Sequence, residues 1–409
     1  MLCLLSLHIL MFTLKVYDSS GNKFSYSSYI KCVSDIDTHR LSDEYERIKT
    51  DRDNLYISEL EVKYTASRPS EYTLYNLILN EIEHILEYDD YLASVIDSRN
   101  VKSSISIFAK DEYSLRNEEK TREDFKKLRG NQVSYSGTCG INLIAKSDIS
   151  DVIGLILITI FAVSLITLEN EESTMVLLRS TPYGRKKCAY AKYSLGVLLS
   201  VITVLLLYGY KIILIGLTYG YGDLHSSIQS VLGYESCPFP LSVKEYLFLY
   251  AVLKILIYCV LFTVFFYIAT KFMQSGKVYV TIVLILGISA VFYYGIDRHH
   301  WLQYLKLLNP VALLNTEYLI TQYKNINAAG QPIGYIWVAL TAAAAVTICF
   351  GILGIRRFCR HFASQSRLAA NVRQKLIDRL QVLRRLKYIF RGKTALFFYE
   401  IKKSWIYEK

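Results

Sequence analysis

Residues 246–270 read YLFLYAVLKILIYCVLFTVFFYIAT, an apolar run of membrane-spanning length that a single lysine interrupts. A bilayer core of about 30 Å needs roughly 20 consecutive apolar residues in a helix. Four further runs reach or approach this length, and helices of soluble proteins are rarely apolar on every face for so long. The sequence therefore predicts membrane helices at 150–168, 194–218, 246–270, 278–295 and 334–354.

The first fourteen residues, MLCLLSLHILMFTL, are also apolar but too short to cross a bilayer. They could be the apolar region of a signal peptide, or the outer part of a first transmembrane helix that begins before this chain. No Lys or Arg precedes the run and no small-residue cleavage site follows it, which favours the second interpretation. The expected fold is an all-α membrane protein of about six transmembrane helices, with residues 1–14 as an incomplete first helix.

Basic residues are distributed unevenly along this chain of net charge +11. Residues 15–148 are slightly acidic, whereas Lys and Arg concentrate in loops 169–193 and 271–277 and in the tail 356–409. Cytoplasmic loops are enriched in Lys and Arg, so these three basic segments are expected inside the cell. The expected outer segments are 15–148, 219–245 and 296–333. Because this topology explains the positive charge, no nucleic-acid partner is expected.

Residues 15–148 are predicted to form a mostly helical extracytoplasmic domain ahead of a transmembrane domain at 149–355. A helix is expected over 70–98, after the start signal Arg68-Pro69-Ser70, with one apolar stripe. That stripe consists of Tyr75, Ile78, Ile82, Ile85 and Leu86.

Three shorter patterns complete the secondary-structure prediction. Thr121-x-x-Asp124 resembles a capping box that would open a helix ending at Gly130. Residues 103–108, SSISIF, could form a short strand or an extended link. Between the last two spans, Asn309-Pro310 is expected to break an amphipathic segment into two short helices that dip into the outer leaflet, or to lie in a plain external loop.

Motifs for catalysis, metal binding and nucleotide binding are missing from the sequence. The eight cysteines form no CxxC pair, which argues against a zinc site, although a Cys32–Cys139 disulfide fits the predicted outer domain. Gly392-Lys393-Thr394 is similar to the end of a phosphate-binding loop, but Lys387 stands where that loop needs glycine. No HExxH, GxSxG or plausible triad is present, so neither catalysis nor ATP hydrolysis is expected of this chain.

The segment 169–187 is the most informative loop of the sequence. It begins with acidic residues, which are expected at a helix start where they suit the positive end of the helix dipole. A short apolar stripe follows, Thr181-Pro182-Tyr183-Gly184 turns the chain, and a basic group ends the segment. It could be a short amphipathic helix that a motor protein pushes, or a solvated loop beside a basic flank.

This segment resembles the coupling-helix region of ABC-2 type permeases, the membrane subunits of bacterial ABC exporters. The resemblance extends to the helix order, the large segment between the first two spans, and Asn309-Pro310; Ser173 stands where the family usually has glycine. Tyr219-Gly-Tyr-Gly-Asp223-Leu and Ile228-Gln-Ser are similar to a bacterial subgroup. The matching positions, with the adjacent acid Glu171, are Glu169, Glu171, Glu172, Ser173, Thr174, Leu177, Leu178, Thr181, Pro182, Arg185 and Lys192.

The resemblance implies an exporter permease in the bacterial cell membrane, with 169–187 contacting a separate ABC ATP-binding subunit that holds ATP and Mg. It also implies a second permease unit or a homodimer partner, besides membrane lipid. The tail ends LFFYEIKKSWIYEK, which resembles the elbow helix that opens such a unit, so the chain could be a fragment of a two-unit protein. The alternatives are a membrane-anchored sensor or assembly protein that binds an external ligand through 15–148, and a secondary transporter. The latter would carry buried acids at midplane, which the predicted spans lack.

Two lysines, Lys211 and Lys254, lie inside predicted spans. An intramembrane charge is a candidate for function, here lining the substrate path. Each also lies about eight residues from the outer end of its run, so a lysine stem could extend its ammonium group toward the interface. The sequence favours this second interpretation.

Overall fold

A computed structural model gives the architecture of the chain. It describes residues 15–17, 23–61, 70–102, 112–137, 139–146, 149–172, 174–181, 183–296, 306–307 and 309–360. The predicted first helix at 1–14, the segment 103–108 and the basic tail beyond residue 360 lie outside these residues. The Cys139 side chain does too, so the Cys32–Cys139 disulfide stays a prediction.

The N-terminal region is mostly helical, as expected for an all-α protein. Its described part begins with an antiparallel hairpin and continues through five helices, and a sixth, short helix follows directly before the first long apolar helix. The elements are β1 (Lys15–Tyr17), β2 (Lys23–Ser25), α1 (Tyr26–Ser34), α2 (Leu41–Glu61), α3 (Ser70–Leu86), α4 (Tyr88–Lys102) and α5 (Glu112–Lys126).

The apolar stripe of α3 forms the centre of this region. Ile78 and Ile82, four residues apart on one helix face, are fully buried among residues of α1 and α2. Leu86, predicted on the same stripe, is instead 41% exposed. The helix begins at Ser70 as predicted, but the chain turns at Glu87, so the expected single helix over 70–98 is two.

The predicted capping box at Thr121 is wrong. Thr121 lies inside α5, and its hydroxyl donates to the Asn117 carbonyl with an oxygen–oxygen distance of 2.7 Å. This distance is typical of an O–H···O hydrogen bond. A Ser or Thr in a helix interior often donates a hydrogen bond to the carbonyl one turn earlier. The pattern Thr121-x-x-Asp124 fits such an interior threonine as well as it fits a capping box, so the pattern alone does not separate the two.

Five helices within the described residues are long and apolar enough to cross a membrane. They coincide with the five predicted runs and extend them at one or both ends, because a spanning helix continues past the hydrocarbon core. They are α7 (Ile149–Glu171), α9 (Lys186–Tyr219), α10 (Val243–Phe272), α11 (Ser275–Gly295) and α14 (Tyr335–Arg360), with α6 (Cys139–Ala145) and α8 (Met175–Ser180) between or before them.

Helix α10 is the centre of the bundle, packed against α7, α9, α11 and α14. It starts at a complete capping box: the Glu245 amide donates to the Ser242 hydroxyl, and the Ser242 amide donates to the Glu245 carboxylate. It ends at Met273, which adopts a left-handed backbone conformation with φ of 53°. The central helix is therefore fixed at both ends by local structure.

The chain between α11 and α14 forms two short helices and a hairpin. Pro310 is the first residue of α12 (Pro310–Leu314), where its missing amide costs nothing, and the Asn309 side chain caps that helix. Proline thus starts a short helix here, and α13 (Thr316–Thr321) follows. The antiparallel strands β3 (Asn325–Ala328) and β4 (Gln331–Gly334) were not predicted; Ala329 and Gly330 turn the chain with positive φ.

Segments that were predicted to share a side of the membrane lie together. At one end of the bundle, His84 of α3 is 2.8 Å from the Gln229 carbonyl, and Asn325 of β3 donates to Asn117 of α5. At the other end, the last turn of α7 contacts the turn between α10 and α11. We call these the outer and inner ends, following the topology that the Lys and Arg distribution predicts.

Candidate functional site

The segment 169–187 connects two spans at the inner end. Helix α7 ends at Glu171, the six-residue helix α8 follows, and α9 begins at Lys186. Two predicted site residues, Ser173 and Pro182, lie outside the part of the chain that the structure describes. The other predicted coupling residues can be placed one by one.

The acidic residues do not open a helix, so their predicted interaction with a positive dipole end is wrong. Glu169 and Glu171 are in the last turn of α7, where the helix dipole is negative. Partners offset this: Lys192 lies 2.7 Å from Glu169, and the Ser275 amide and hydroxyl donate to Glu171 at 2.9 and 2.6 Å. Glu172, which follows the helix, is exposed.

Among the side chains of α8 that the structure describes, one large apolar side chain is exposed to the surroundings. Met175 is buried against the bundle, while Leu177 is 72% exposed. Leu178 is half-buried, so the two leucines predicted as a pair of anchors differ in accessibility. The exposed Thr174 precedes the helix, and its hydroxyl donates to the Glu169 carbonyl at 3.3 Å.

A tight turn fixes the end of α8. The Thr181 hydroxyl donates to the Leu178 carbonyl at 2.6 Å, and the Gly184 amide donates to the Thr181 carbonyl at 3.2 Å. A Cβ atom on Gly184 would overlap the Leu178 carbonyl, so this position requires glycine. The turn holds α8 against the start of α9.

The basic residues of the segment fall into two groups. Arg185 is exposed, and the Lys187 ammonium lies 3.8 Å from the centre of the Tyr183 ring, which is itself 64% exposed. Lys192 turns inward, where it pairs with Glu169 and also donates to the Leu165 carbonyl. Arg185 is therefore available to a partner, whereas Lys192 holds α9 to α7.

The predicted extension of Lys211 and Lys254 toward the interface is wrong, because both side chains are buried inside the bundle, with 1% and 0% exposure. The Lys254 ammonium donates to the Asp151 carboxylate at 2.6 Å and to the Leu314 carbonyl at 2.7 Å. Lys211 donates to the Lys146 carbonyl at 2.9 Å. Nearby acceptors thus compensate for the loss of water around each ammonium group.

Tyrosines complete the cluster around Lys254. The Tyr208 hydroxyl donates to Asp151 and lies 2.9 Å from the Tyr258 hydroxyl. The Lys254 ammonium also lies 4.8 Å from the centre of the Tyr208 ring. We call Asp151, Tyr208, Lys254 and Tyr258 the buried polar cluster; it joins α7, α9, α10 and the end of α12.

Asp151 lies in the first turn of α7, so it is at the end of its span, where the sequence argument allowed an acid. Its side chain is buried. The sequence signal for this contact is an acid, Asp151, at the start of one apolar run together with a single lysine in each of two other runs. This signal does not identify whether Lys211 or Lys254 pairs with the acid.

A second acid, Glu317 of α13, lies beside the cluster at the outer end. The Tyr234 hydroxyl donates to it at 3.0 Å. Burial raises the pKa of Glu317, and the hydrogen bond from Tyr234 and the charges of three lysines partly oppose that rise. The sequence analysis missed Glu317, since no local pattern marks it.

The family of the chain follows from comparison with known proteins. Searches of the curated proteins and of the solved structures found no significant match. A family model described as ABC-2 family transporter protein matches residues 1–361, which include the N-terminal region and all five described spans. The chain therefore belongs to the ABC-2 transporter family and is a multi-pass membrane permease of an ABC transporter.

Proposed function

We propose that this permease exports its substrate with energy from a separate ABC ATP-binding subunit, which docks on residues 169–187. The single observation that carries the proposal is the exposed side chain of Leu177, on a short helix tied to two spans at the inner end. An apolar side chain that fills a groove in a partner typically contributes about 2 kcal/mol or more to binding.

The exposed charges around α8 suit a partner surface. Glu172 lies before the helix and Arg185 after it, and both are exposed. Charges at the rim of an interface mainly set the encounter rate and the register of the complex. Glu169, Glu171 and Lys192 have partners within the permease, so we assign them the role of carrying movement from α8 into the spans.

The partner subunit would supply the nucleotide chemistry. The phosphate-binding loop is missing from this sequence, so ATP and Mg would bind to the partner, and hydrolysis would drive alternation between inward- and outward-facing states. The basic loops at the inner end support a cytoplasmic location for that partner in a bacterial cell membrane. Two permease units, as a homodimer or within a longer chain, would form the transport path.

The buried polar cluster is the proposed place where that path opens at the outer end. Lys254 of α10 joins three elements by its contacts with Asp151 of α7 and the Leu314 carbonyl at the end of α12. Lys211 lies on the neighbouring helix α9 and donates to the Lys146 carbonyl. Separation of these helices would expose both ammonium groups to a substrate. This gives Lys211 and Lys254 a role on the path only in the open state.

The sensor alternative explains fewer observations. The family match includes the N-terminal region as well as the spans, so that region is part of a transporter. It contacts the 219–245 segment and the β3–β4 hairpin through hydrogen bonds, which suits a cover over the outer end of the bundle.

The docking proposal is tested by co-purification with the ATP-binding subunit. Leu177→Ala should weaken the complex about tenfold or more, since about 1.4 kcal/mol corresponds to one decade. Leu178→Ala should have a smaller effect on binding because Leu178 is half-buried. Arg185→Glu should weaken binding more at low salt than at high salt.

Leu217→Ala is the matched control, because Leu217 is 81% exposed at the opposite end of α9. It should leave both membrane abundance and the complex unchanged. If Leu177→Ala binds the ATP-binding subunit normally and still supports substrate-stimulated hydrolysis, residues 169–187 are only a connector.

A further inference from the structure

A cavity of about 280 Å³ lies at the outer end, between the last turn of α11 and the first residue of α14. Tyr293 and Tyr294 line it from α11, and Tyr335 lines it from α14. The other polar lining residues are Lys306, Lys324, Asn315 and Tyr318. None of the predicted coupling residues, and neither Lys211 nor Lys254, is among its described lining residues.

The polar side chains that line this cavity are hydrogen-bond donors. Ammonium groups can only donate, and phenol and amide groups have N–H or O–H to offer. Among the described lining residues there is no Asp or Glu. A ligand that accepts several hydrogen bonds and carries negative charge therefore matches the lining, and a phosphate group has both properties.

Lys306 is held in place for such a ligand. Its ammonium donates to the Ile296 carbonyl at 2.8 Å and lies 5.6 Å from the centre of the Tyr293 ring. An ammonium has three donors, and these contacts fix the side chain while using one of them. Asn315 of the opposite wall donates to the Tyr293 hydroxyl at 3.1 Å, which orients that ring.

The position of the cavity relative to the spans indicates where its ligand comes from. Helices α11 and α14 are the two least buried of the five candidate spans, so the cavity lies between helices that face lipid. Tyr294 of the lining is 79% exposed, and Trp337, two residues after the lining residue Tyr335 on α14, is 60% exposed. Tyr and Trp are enriched at the level of lipid headgroups.

The outer face of α11 provides an apolar surface that continues from the cavity. Val291 is 68% exposed and Ile288 is 54% exposed, one and two turns below the two tyrosines. An acyl chain can lie along this face while its headgroup enters the cavity. A free anion would gain nothing from these residues, whereas a lipid buries apolar area on them.

We propose that this cavity binds the phosphate headgroup of an anionic phospholipid from the outer leaflet, with Lys306 and Lys324 as its cationic ligands. Basic pockets between membrane helices are known to hold lipid headgroups. The bound lipid would join the end of α11 to the start of α14 across the segment that contains α12 and α13.

The test is native mass spectrometry of the full chain in detergent, titrated with phosphatidylglycerol or phosphatidylcholine and without nucleotide. We expect phosphatidylglycerol to bind about thirtyfold more tightly than phosphatidylcholine, because each of the two lysines contributes about 1 kcal/mol toward an anionic lipid and about 1.4 kcal/mol corresponds to tenfold. The Lys306→Gln, Lys324→Gln double variant should lose this preference. Lys306→Arg with Lys324→Arg should keep it, which separates loss of charge from misfolding.

Lys244→Gln is the matched control, because Lys244 is an exposed lysine at the same end and outside the cavity lining. It should retain the wild-type preference. Equal loss in this control, or a double variant that still prefers phosphatidylglycerol, would overturn the proposal. Displacement of the lipid by inorganic phosphate at matched concentration would overturn it too, by showing a free-anion site. Because no ATP-binding subunit is used, these outcomes do not depend on the docking proposal.

Discussion

Replacing Lys254 with methionine removes the ammonium from the buried polar cluster and keeps a side chain of similar length. The change leaves the Asp151 carboxylate buried with the Tyr208 hydroxyl as its donor and without the ammonium 2.6 Å away. It also leaves the Leu314 carbonyl without the donor that lies 2.7 Å from it. Two acceptors thus lose a partner in a place that water does not reach.

The size of the effect follows from that burial. Removing one partner of a buried ion pair typically costs about 3–5 kcal/mol, because the remaining charge is uncompensated. The Leu314 carbonyl would keep only the longer hydrogen bond from the Thr316 hydroxyl, at 3.4 Å, among the described contacts, which adds to this cost. We therefore expect Lys254→Met to lower the free energy of unfolding by about 3 kcal/mol or more.

Adding Asp151→Asn to that variant should recover much of the loss. With both charges gone, no uncompensated ion remains, and apolar or neutral replacements of a buried pair are often close to neutral. The measurement is a double-mutant cycle, with free energies of unfolding from reversible SDS titration of the purified protein in micelles. Lys244→Met, at an exposed position of the same helix, should stay within about 0.5 kcal/mol of wild type.

The cycle has a clear failure. If Lys254→Met behaves like the exposed control, or if the double variant loses the sum of the two single losses, the ion pair contributes no coupling. The cluster would then be an assembly of independently solvated groups, and its proposed part in closing the outer end would be withdrawn.

Three further changes test other contacts. Gly154→Ala should reduce the amount of folded protein, because its Cβ would overlap the Tyr258 ring and overpacking costs about 1–3 kcal/mol; fluorescence-detected gel filtration would measure this, and an unchanged profile would contradict it. Glu171→Ala should weaken substrate-stimulated ATP hydrolysis without reducing complex formation, because it removes the acceptor for Ser275, and that contact transmits movement without facing the partner; equal loss of both would refute that separation. Burial raises the pKa of Glu317 above its ordinary value of 4.5. Its contribution to stability is therefore present below the unfolded-state pKa and is lost as pH rises through the higher folded-state pKa. Glu317→Gln should flatten this part of the curve of unfolding free energy against pH, and an unchanged curve would disprove the argument.

The five spans could be predicted because their signal is local. A helix that is apolar on every face is stable mainly in a bilayer or in a buried core. Composition alone therefore identifies α7, α9, α10, α11 and α14. Their bounds were less accurate. The predicted run at 194–218 begins eight residues after α9 does, because the first turns of that helix are polar and lie beyond the apolar stretch.

The polar contacts could not be predicted in the same way. Lys254 and Asp151 are 103 residues apart in sequence, and their contact depends on the relative rotation of two helices. The same holds for Glu171, whose partner Ser275 is 104 residues away. The sequence identified Lys254 and Glu171 as candidates by residue type and place, but their partners required the packed bundle. The β3–β4 hairpin was missed because Ala329-Gly330 is a weaker turn signal than Asn-Gly.

The contacts between the end of α7 and the α10–α11 turn have a mechanical consequence. Asn170 donates to the Met273 carbonyl at 2.8 Å, and Glu171 accepts two hydrogen bonds from Ser275. Three hydrogen bonds thus connect the end of α7 to the α10–α11 turn, in which Met273 adopts a left-handed backbone conformation. A force applied to α8 cannot bend α7 alone, because α11 is fastened to it at the same level. We expect the two helices to tilt together, so that a small displacement at the inner end becomes a larger lateral displacement about 30 Å away at the outer end, the length of a helix of roughly 20 residues.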